Sequence, residues 1–319
     1  MMQALALICA YLVDRIWGDP RWIPHPVILM GHVITWLEKR IRALQLKEQQ
    51  LKWAGLSFPL VLVGGSYLLV WTVLYGLEKI HPWLAWGMEV WLISTTIATK
   101  GLADAGMEIF RHLRNGNLEQ SRLSLSMVVG RDTNTLDEPE ISRGAVETVA
   151  ENIVDAILSP LFYAAIGGAP LAMAYRAANT LDSMVGYKNE KYLYLGWASA
   201  RFDDLVNFIP ARMAAVLLVI AVWLKGHSAS GCWRVIQRDA RLHPSPNSGF
   251  TEAGMAGALG IQLGGLNYYH GVPSNRAKLG DPTRNIRAQD ILETVMVMKL
   301  VSVLFLLILS IGRLGVDIL

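Results

Sequence analysis

From Leu56 to Leu77 the chain runs through twenty-two residues without a charge (LSFPLVLVGGSYLLVWTVLYGL). At 1.5 Å per residue, a helix of that length crosses a bilayer core roughly 30 Å thick. Hydrocarbon offers no partner to backbone N–H and C=O groups, so a helix is the only open-ended solution there. This run makes the chain a membrane protein, and the remaining segments are read around it. Hydrophobic residues make up 53% of the sequence and charged ones 17%. That is too apolar for an ordinary soluble domain and too charged for a bundle lying wholly in lipid.

Other apolar runs extend the pattern. Trp83–Ala98 carries Trp83, Trp86 and Trp91 at belt spacing and is interrupted by Glu89. Ile157–Ala174 is broken by Pro160, Gly167, Gly168 and Pro170, which suits a broken or re-entrant segment. Leu205–Leu224 and Ile291–Ile311 are further spanning segments. Met1–Val13 is apolar but too short to cross, and it lacks the basic start of a cleaved signal. The expected fold is all-α and polytopic, with about five or six spanning or re-entrant helices and large polar cytoplasmic loops. It forms a single domain over 1–319, with polar segments at about 14–54, 99–156, 175–207 and 225–290. Gly31–Lys52 and Lys100–Gln120 read as amphipathic helices. Gly18–Val27 (GDPRWIPHPV), with three prolines and His25, reads as an extended, rigid loop.

Seven Lys/Arg between Asp14 and Ala54 place that segment in the cytoplasm. Eight more lie between Lys225 and Asp290. If Ile157–Ala174 crosses fully, Asn179–Arg201 lies outside, away from Met127–Asp155. The favoured expectation is that it dips and returns, so that both acidic clusters face one cytoplasmic cavity, with Leu205–Leu224 re-entrant as well to keep Lys225–Asp290 on that side. The net charge of +3 is dispersed and gives no nucleic-acid footprint. Cys9 and Cys232 form neither a disulfide framework nor a zinc pattern.

The densest chemistry lies at Met127–Asp155. GRDTNTLDEPE is a polar loop, and beyond Pro139 the spacing becomes helical. Glu140, Arg143, Glu147, Glu151 and Asp155 then share one stripe. Carboxylates four residues apart repel, so Glu147, Glu151 and Asp155 call for an arginine or a divalent metal, with the Asn152 carbonyl beside them. A solvated helix face with Arg131 and Arg143 as counter-charges is the alternative. A second constellation follows: Asn179 and Asp182 at i, i+3, then Asp203, Asp204 and Asn207, with Arg176, Lys188, Lys191 and Arg201 near enough in sequence to meet phosphates. Between Ser245 and Gly265 (SPNSGFTEAGMAGALGIQLGG), Ser248 or Thr251 is expected to cap a helix holding Glu252, followed by close-packing glycines. There is no P-loop, nucleophile elbow or H-E-x-x-H helix.

Five segments, in this order and at these spacings, resemble the adenosylcobinamide-phosphate synthase family: GDPRWIPHPV, VGRDTNTLDEPEISRGAVETVAENIVD, AYRAANTLDSMVGYKNEKY, SARFDDLVNFIPAR and GALGIQLGG. These are multi-pass enzymes of cobalamin biosynthesis, and the likeness covers essentially the whole chain. The resemblance implies an ATP- and Mg²⁺-dependent ligase of the bacterial inner membrane with a cytoplasm-facing site. It would join adenosylcobyric acid to (R)-1-amino-2-propanol O-2-phosphate as an amide, among membrane lipid and other late cobalamin-pathway enzymes. For that chemistry the residues are assigned as follows. Glu147, Glu151, Asn152, Asp155, Asp203 and Asp204 hold the metal. Arg131, Arg143, Asn179, Lys188, Arg201, Asn247 and Glu252 bind substrate or phosphate. Asp132, Glu147 and Asp182 are catalytic, with Asp132 or Asp182 taking the amine proton. Two other readings use the same residues. A Mg²⁺-dependent prenyl-diphosphate transferase fits the N-x-x-D and D-D-x-x-N spacings, though such a fold wants more clean helices. A non-enzymatic membrane sensor of related fold should lack the acidic and basic motif residues that are all present here.

Overall fold

The computed structural model describes residues 2–19 and 25–318, with side chains to 315. The middle of the Gly18–Val27 loop therefore lies outside the described residues. In chain order the elements are α1 (Met2–Trp17), α2 (Pro26–Ala43), α3 (Glu48–Ile80), α4 (Pro82–Ser94), α5 (Thr99–Arg114), α6 (Leu118–Ser126) and α7 (Glu138–Ile153). There follow α8 (Ser159–Val185), α9 (Trp197–Val206), α10 (Phe208–Leu224), α11 (Ala229–Asp239), α12 (Ser248–Leu259), β1 (Leu263–Tyr269), β2 (Val272–Leu279) and α13 (Gln289–Ile318). The chain is an all-α membrane protein, and among the described residues its sheet is limited to the β1–β2 hairpin.

Among the described residues, three helical runs are long and apolar enough to cross a membrane: Glu48–Ile80, Glu138–Val185 and Gln289–Gly315. The pair α9–α10, bent by 46°, adds a fourth if it counts as one span. This falls short of five or six chiefly because α4 ends at Ser94. Its 13 residues reach about 20 Å, well under a bilayer core. The Leu56–Leu77 run lies within α3, where Leu60, Leu68, Leu69 and Trp71 point outward as a lipid face requires. The amphipathic segment expected at Lys100–Gln120 is two helices. Gly116 takes a positive φ of 70°, and the Asn117 side chain accepts the Gln120 N–H to start α6.

The break expected between Ile157 and Ala174 sits inside α8. Gly167 and Gly168 leave the helical region, and Gly168 has φ 63°. The carboxylate of Glu89 on α4 accepts the N–H of Ala169, the first donor of the helical half that follows. Glu89, a functional candidate by default as an intramembrane acid, thus holds the break.

By its internal contacts the chain divides into two compact units. One comprises Met1–Ala98, Ser159–Asn207 and Leu306–Leu319; the other, Thr99–Leu158 and Phe208–Phe305. In the second unit, helices pack through small residues. A Cβ on Gly106 of α5 would lie 2.9 Å from Val295 Cγ2 on α13. A Cβ on Gly231 of α11 would lie 2.6 Å from the Gly257 carbonyl of α12, so the two backbones meet directly. The cap of α12 is neither Ser248 nor Thr251. The helix starts at Ser248, and Ser245 Oγ accepts the N–H groups of Asn247 and Ser248, each at 3.3 Å.

The sequence gives no sign of the hairpin. Its two-residue turn, His270–Gly271, has φ 52° and 77°. Positive φ at both positions is the type I′ geometry that matches strand twist. Glycine adopts it freely, and histidine is among the side chains enriched there.

Candidate functional site

In the second unit, the loop before α7 and the face of α7 grip the hairpin. Asp132 N–H donates to the Tyr268 carbonyl at 2.8 Å, and its carboxylate accepts the N–H groups of His270 at 3.1 Å and Gly271 at 2.8 Å. The two donors freed by the I′ turn are thus satisfied by one acid. Arg143 donates to the carbonyls of Gly264 at 2.6 Å and Leu266 at 3.2 Å, to Asn267 Oδ1 at 3.1 Å and to Glu147 Oε1 at 3.2 Å. Arg131 donates to Asn267 Oδ1 at 2.6 Å and forms an ion pair with Glu147. Gly264 N–H completes Glu147 at 2.7 Å.

Burial explains this arrangement. Glu147 and Arg131 are almost fully enclosed, and a charge there persists only when paired and hydrogen-bonded. Both Glu147 oxygens are therefore taken, as are both of Asp132. Glu147, expected as metal ligand and catalytic group, and Asp132, expected as proton acceptor, hold the hairpin in this structure. Arg131 and Arg143, expected on phosphates, hold it with them. The stripe does not extend to Asp155 either. Val154–Leu158 is a π turn, whose extra residue breaks the four-residue register. Asn152 donates to the Thr148 carbonyl at 2.9 Å.

The same unit buries Glu252 beside His243. Their Oε1 and Nε2 lie 3.2 Å apart, with side chains 3% and 6% exposed. Neither atom is aligned into a hydrogen bond with a partner. Burial pushes Glu252 up to about 7. Burial alone would lower His243, but the Glu252 carboxylate, with Glu151 beyond it, carries the imidazole above its ordinary value. Arg276 on β2 lies within the field of Glu151, Glu252 and Glu147 and donates to Tyr269 Oη at 2.9 Å. Asn247, expected to bind substrate, is buried and accepts from Arg212 of α10 at 2.8 Å.

In the first unit, α8 and α9 bring the second constellation together. Asp203 is buried, and its Oδ2 accepts from Asn207 at 3.0 Å. Asn207 Oδ1 in turn accepts from Ser159 at 2.6 Å and Tyr175 at 2.9 Å, which fixes the amide orientation. The carboxylates of Asp182 and Asp204 and the amide of Asn179 bear on Asp203. Its Oδ1 nonetheless has no aligned donor. Arg201, largely exposed, pairs with Asp204 at 3.7 Å, and Lys188 stands in the field of the same acid.

A buried carboxylate oxygen without a donor, facing a second carboxylate, suits a divalent cation. Among the described residues no three His, Cys, Asp or Glu side chains are grouped to enclose one. Mg²⁺ does not require that, because it is commonly held by one or two carboxylates plus substrate phosphates. The expected metal set is split: Glu147, Glu151, Asn152 and Asp155 belong to one unit, Asp203 and Asp204 to the other. Sequence reasoning missed Ser159, Tyr175, His243, Asn267 and Arg276. Only His243 carried a local signal, since His243–Pro244 repeats the dipeptides His25–Pro26 and His81–Pro82.

The family described as CobD/Cbib protein matches residues 7–298. The cobalamin biosynthesis protein CbiB of Salmonella typhimurium is 46% identical over 316 residues, covering 99% of both chains. CobD of Yersinia enterocolitica is 47% identical, covering 98% of both. CobD of Geobacter metallireducens is 48% identical, covering 90% of both. No solved structure matches.

Proposed function

Because the chain belongs to the CobD/CbiB protein family, we propose that it acts in cobalamin biosynthesis as an ATP- and Mg²⁺-dependent ligase, joining adenosylcobyric acid to (R)-1-amino-2-propanol O-2-phosphate. The observation that carries a phosphate-activating reading is the Asp203 carboxylate, buried in the field of Asp182 with one oxygen that no donor is aligned to. Asp182 and Asp203 would hold Mg²⁺, whose chemistry is to neutralise the triphosphate of ATP. Asn207, anchored by Ser159 and Tyr175, keeps Asp203 in place. Lys188 and Arg201 would reach phosphate oxygens from the exposed edge, and Asn179 bears on Asp203.

A carboxylate offers an amine no leaving group. Phosphoryl transfer to the substrate's propionate oxygen supplies one, and the amine nitrogen then displaces phosphate. The corrinoid is large and partly apolar, which suits a site opening at the membrane surface of the cytoplasmic (inner) membrane.

The test uses purified protein in detergent with the corrinoid acid, the aminopropanol phosphate, ATP and Mg²⁺, followed by mass spectrometry of the amide and ADP. Product that needs all four components establishes the reaction. Bound corrinoid without product favours a binding or regulatory role. Neither product nor corrinoid binding overturns the reading and returns attention to prenyl-diphosphate transfer. Asp203→Asn should lower kcat by about 10²-fold or more while leaving corrinoid binding intact.

A further inference from the structure

Two buried polar atoms stand one helical turn apart on α9. Ser199 is 1% exposed and Asp203 7%. Among the described residues, neither Ser199 Oγ nor Asp203 Oδ1 is aligned to a hydrogen-bond partner. At i and i+4 the two side chains share a helix face, with Cβ atoms about 5–6 Å apart. A hydroxyl buried beside a carboxylate oxygen ordinarily donates to it, because an unmade hydrogen bond there is costly to both groups. Here no such bond forms.

The packing of α9 on α8 fixes what this face looks at. The Gly196 backbone lies against the Val185 carbonyl too closely for any Cβ, which pins the start of α9 to the end of α8. At the other end, Asn207 accepts from Tyr175 of α8. The two helices therefore run antiparallel. Asn179 and Asp182 fall between these two contacts on α8, and Ser199 and Asp203 fall between them on α9. Asp182 and Asn179 bear on Asp203, and one turn toward Gly196 brings Ser199 level with Asp182. The Asp182 carboxylate is folded against Gly186, where again no Cβ fits.

We propose that Ser199 is a third protein ligand of the cation assigned to Asp182 and Asp203, its Oγ and Asp203 Oδ1 meeting one divalent ion from adjacent turns of α9. The inference rests on that assignment and adds an oxygen that the acids alone do not supply. Both atoms offer lone pairs, and hydroxyl and carboxylate oxygens are ligands that Mg²⁺ accepts. Charge points the same way. Asp182, Asp203 and Asp204 already bring three carboxylates together, while Lys188 and Arg201 stand at the exposed edge. A neutral hydroxyl adds a ligand without further negative charge, as the serine or threonine of a P-loop does toward its Mg²⁺. The remaining positions fall to water and substrate phosphate, the usual case for this ion.

The experiment titrates the full-length protein in detergent with Mn²⁺, without nucleotide, and reads bound ion by electron paramagnetic resonance. Ser199→Ala should weaken Mn²⁺ binding about 10-fold or more, since even residues that only support a ligand cost that much. Ser199→Cys, in a chain with Cys9 and Cys232 replaced, should bind Cd²⁺ about 10-fold tighter than its parent and show thiolate-to-metal absorption, because a soft sulfur prefers a soft ion. Thermal unfolding without metal checks the fold. Ser199→Ala deletes a buried hydroxyl that no described residue satisfies, so its melting temperature should hold or rise. If Ser199→Ala unfolds instead, the Cd²⁺ affinity of Ser199→Cys decides. A wild type that binds Mn²⁺, with Ser199→Ala binding it equally and Ser199→Cys gaining nothing for Cd²⁺, overturns the Ser199 role and leaves the two acids as the site. A folded wild type that binds no Mn²⁺ overturns the Ser199 role and the Mg²⁺ assignment together.

Discussion

At the scale of single residues, Arg143 carries more of the second unit than any neighbour. Its guanidinium fork meets two carbonyls, one amide and one carboxylate, in a site where its side chain is 12% exposed. An ammonium is a point charge and cannot span those acceptors. Arg143→Lys should therefore destabilise the unit by about 3 kcal/mol, approaching the cost of breaking a buried pair. Chemical denaturation would show it, together with new protease cuts between 263 and 279; an unchanged midpoint would refute the clamp. The three His–Pro dipeptides show a second residue-scale device. His25, His81 and His243 each accept, through Nδ1, the N–H two positions on, at 3.2, 3.2 and 3.1 Å. Proline has no N–H, so the ring caps the first donor beyond it, starting α2 and α4. At His243 this leaves Nε2 to Glu252, and that pair links pH to stability. Both groups bind protons more tightly when folded than their ordinary values allow. The native state thus keeps protons the unfolded chain has released, so stability is full at acidic pH and falls as pH rises through about 7. The melting temperature should drop across that window, and Glu252→Gln should flatten the drop.

At the scale of elements, the break in α8 is a joint product of two helices. Gly168 sits at φ 63° close against Glu89, and Glu89 receives the Ala169 N–H. Gly168→Ala meets an unfavourable backbone region and displaces the Glu89 carboxylate, for an expected loss of about 1–2 kcal/mol. Glu89→Gln keeps an acceptor and should be milder than Glu89→Leu, which strands the N–H. Thermal unfolding of the three variants in detergent gives the order. Equal losses for Gln and Leu would remove the capping role. The break was legible because Gly167, Gly168 and Pro170 act locally, and α3 and α13 were legible because hydropathy is a local sum. Asn179 and Asp182 were legible as one face because i, i+3 is helix geometry. The hairpin was not. Its strands are fixed by distant partners, among them Arg143 on Gly264 and Asp132 on Gly271, 121 and 139 positions away, and no window along the chain contains both ends. The same distance hid the fate of Glu147. Its i+4 spacing from Arg143 and Glu151 asked for a cation, and the cation supplied is a pair of arginines. Ser159 and Tyr175 escaped notice because hydroxyls in an apolar run look like filler until Asn207 folds onto them.

At the scale of the whole molecule, the hairpin bears on a question of threading that charge counting left open. Residues 99–153 and 225–290 belong to one compact unit, and Asp132, Arg131 and Arg143 bond directly to 264–271. Two segments joined by these hydrogen bonds lie on one side of a bilayer. Between them the chain makes an even number of crossings, so α8 and the α9–α10 pair either both cross or both return. The residues favour return. α8 is interrupted at Gly168, and α9 carries Arg201, Asp203 and Asp204, which are expensive in hydrocarbon. The 17 residues of α10 alone reach only about 25 Å. In the proposed topology the eight basic residues between Lys225 and Asp290 assign that side to the cytoplasm, where ATP is found. Single cysteines at Lys188, Ser228 and Asn275, in a chain with Cys9 and Cys232 replaced, should all react with a membrane-impermeant thiol reagent in inverted vesicles and stay unlabelled in intact cells. Labelling of Lys188→Cys from the outer face, with Ser228→Cys and Asn275→Cys labelled from the inner, would show two full crossings. It would also put the Asp182–Asp203 cluster on the side without ATP, so the assignment of Mg²⁺ to those acids would fall with it.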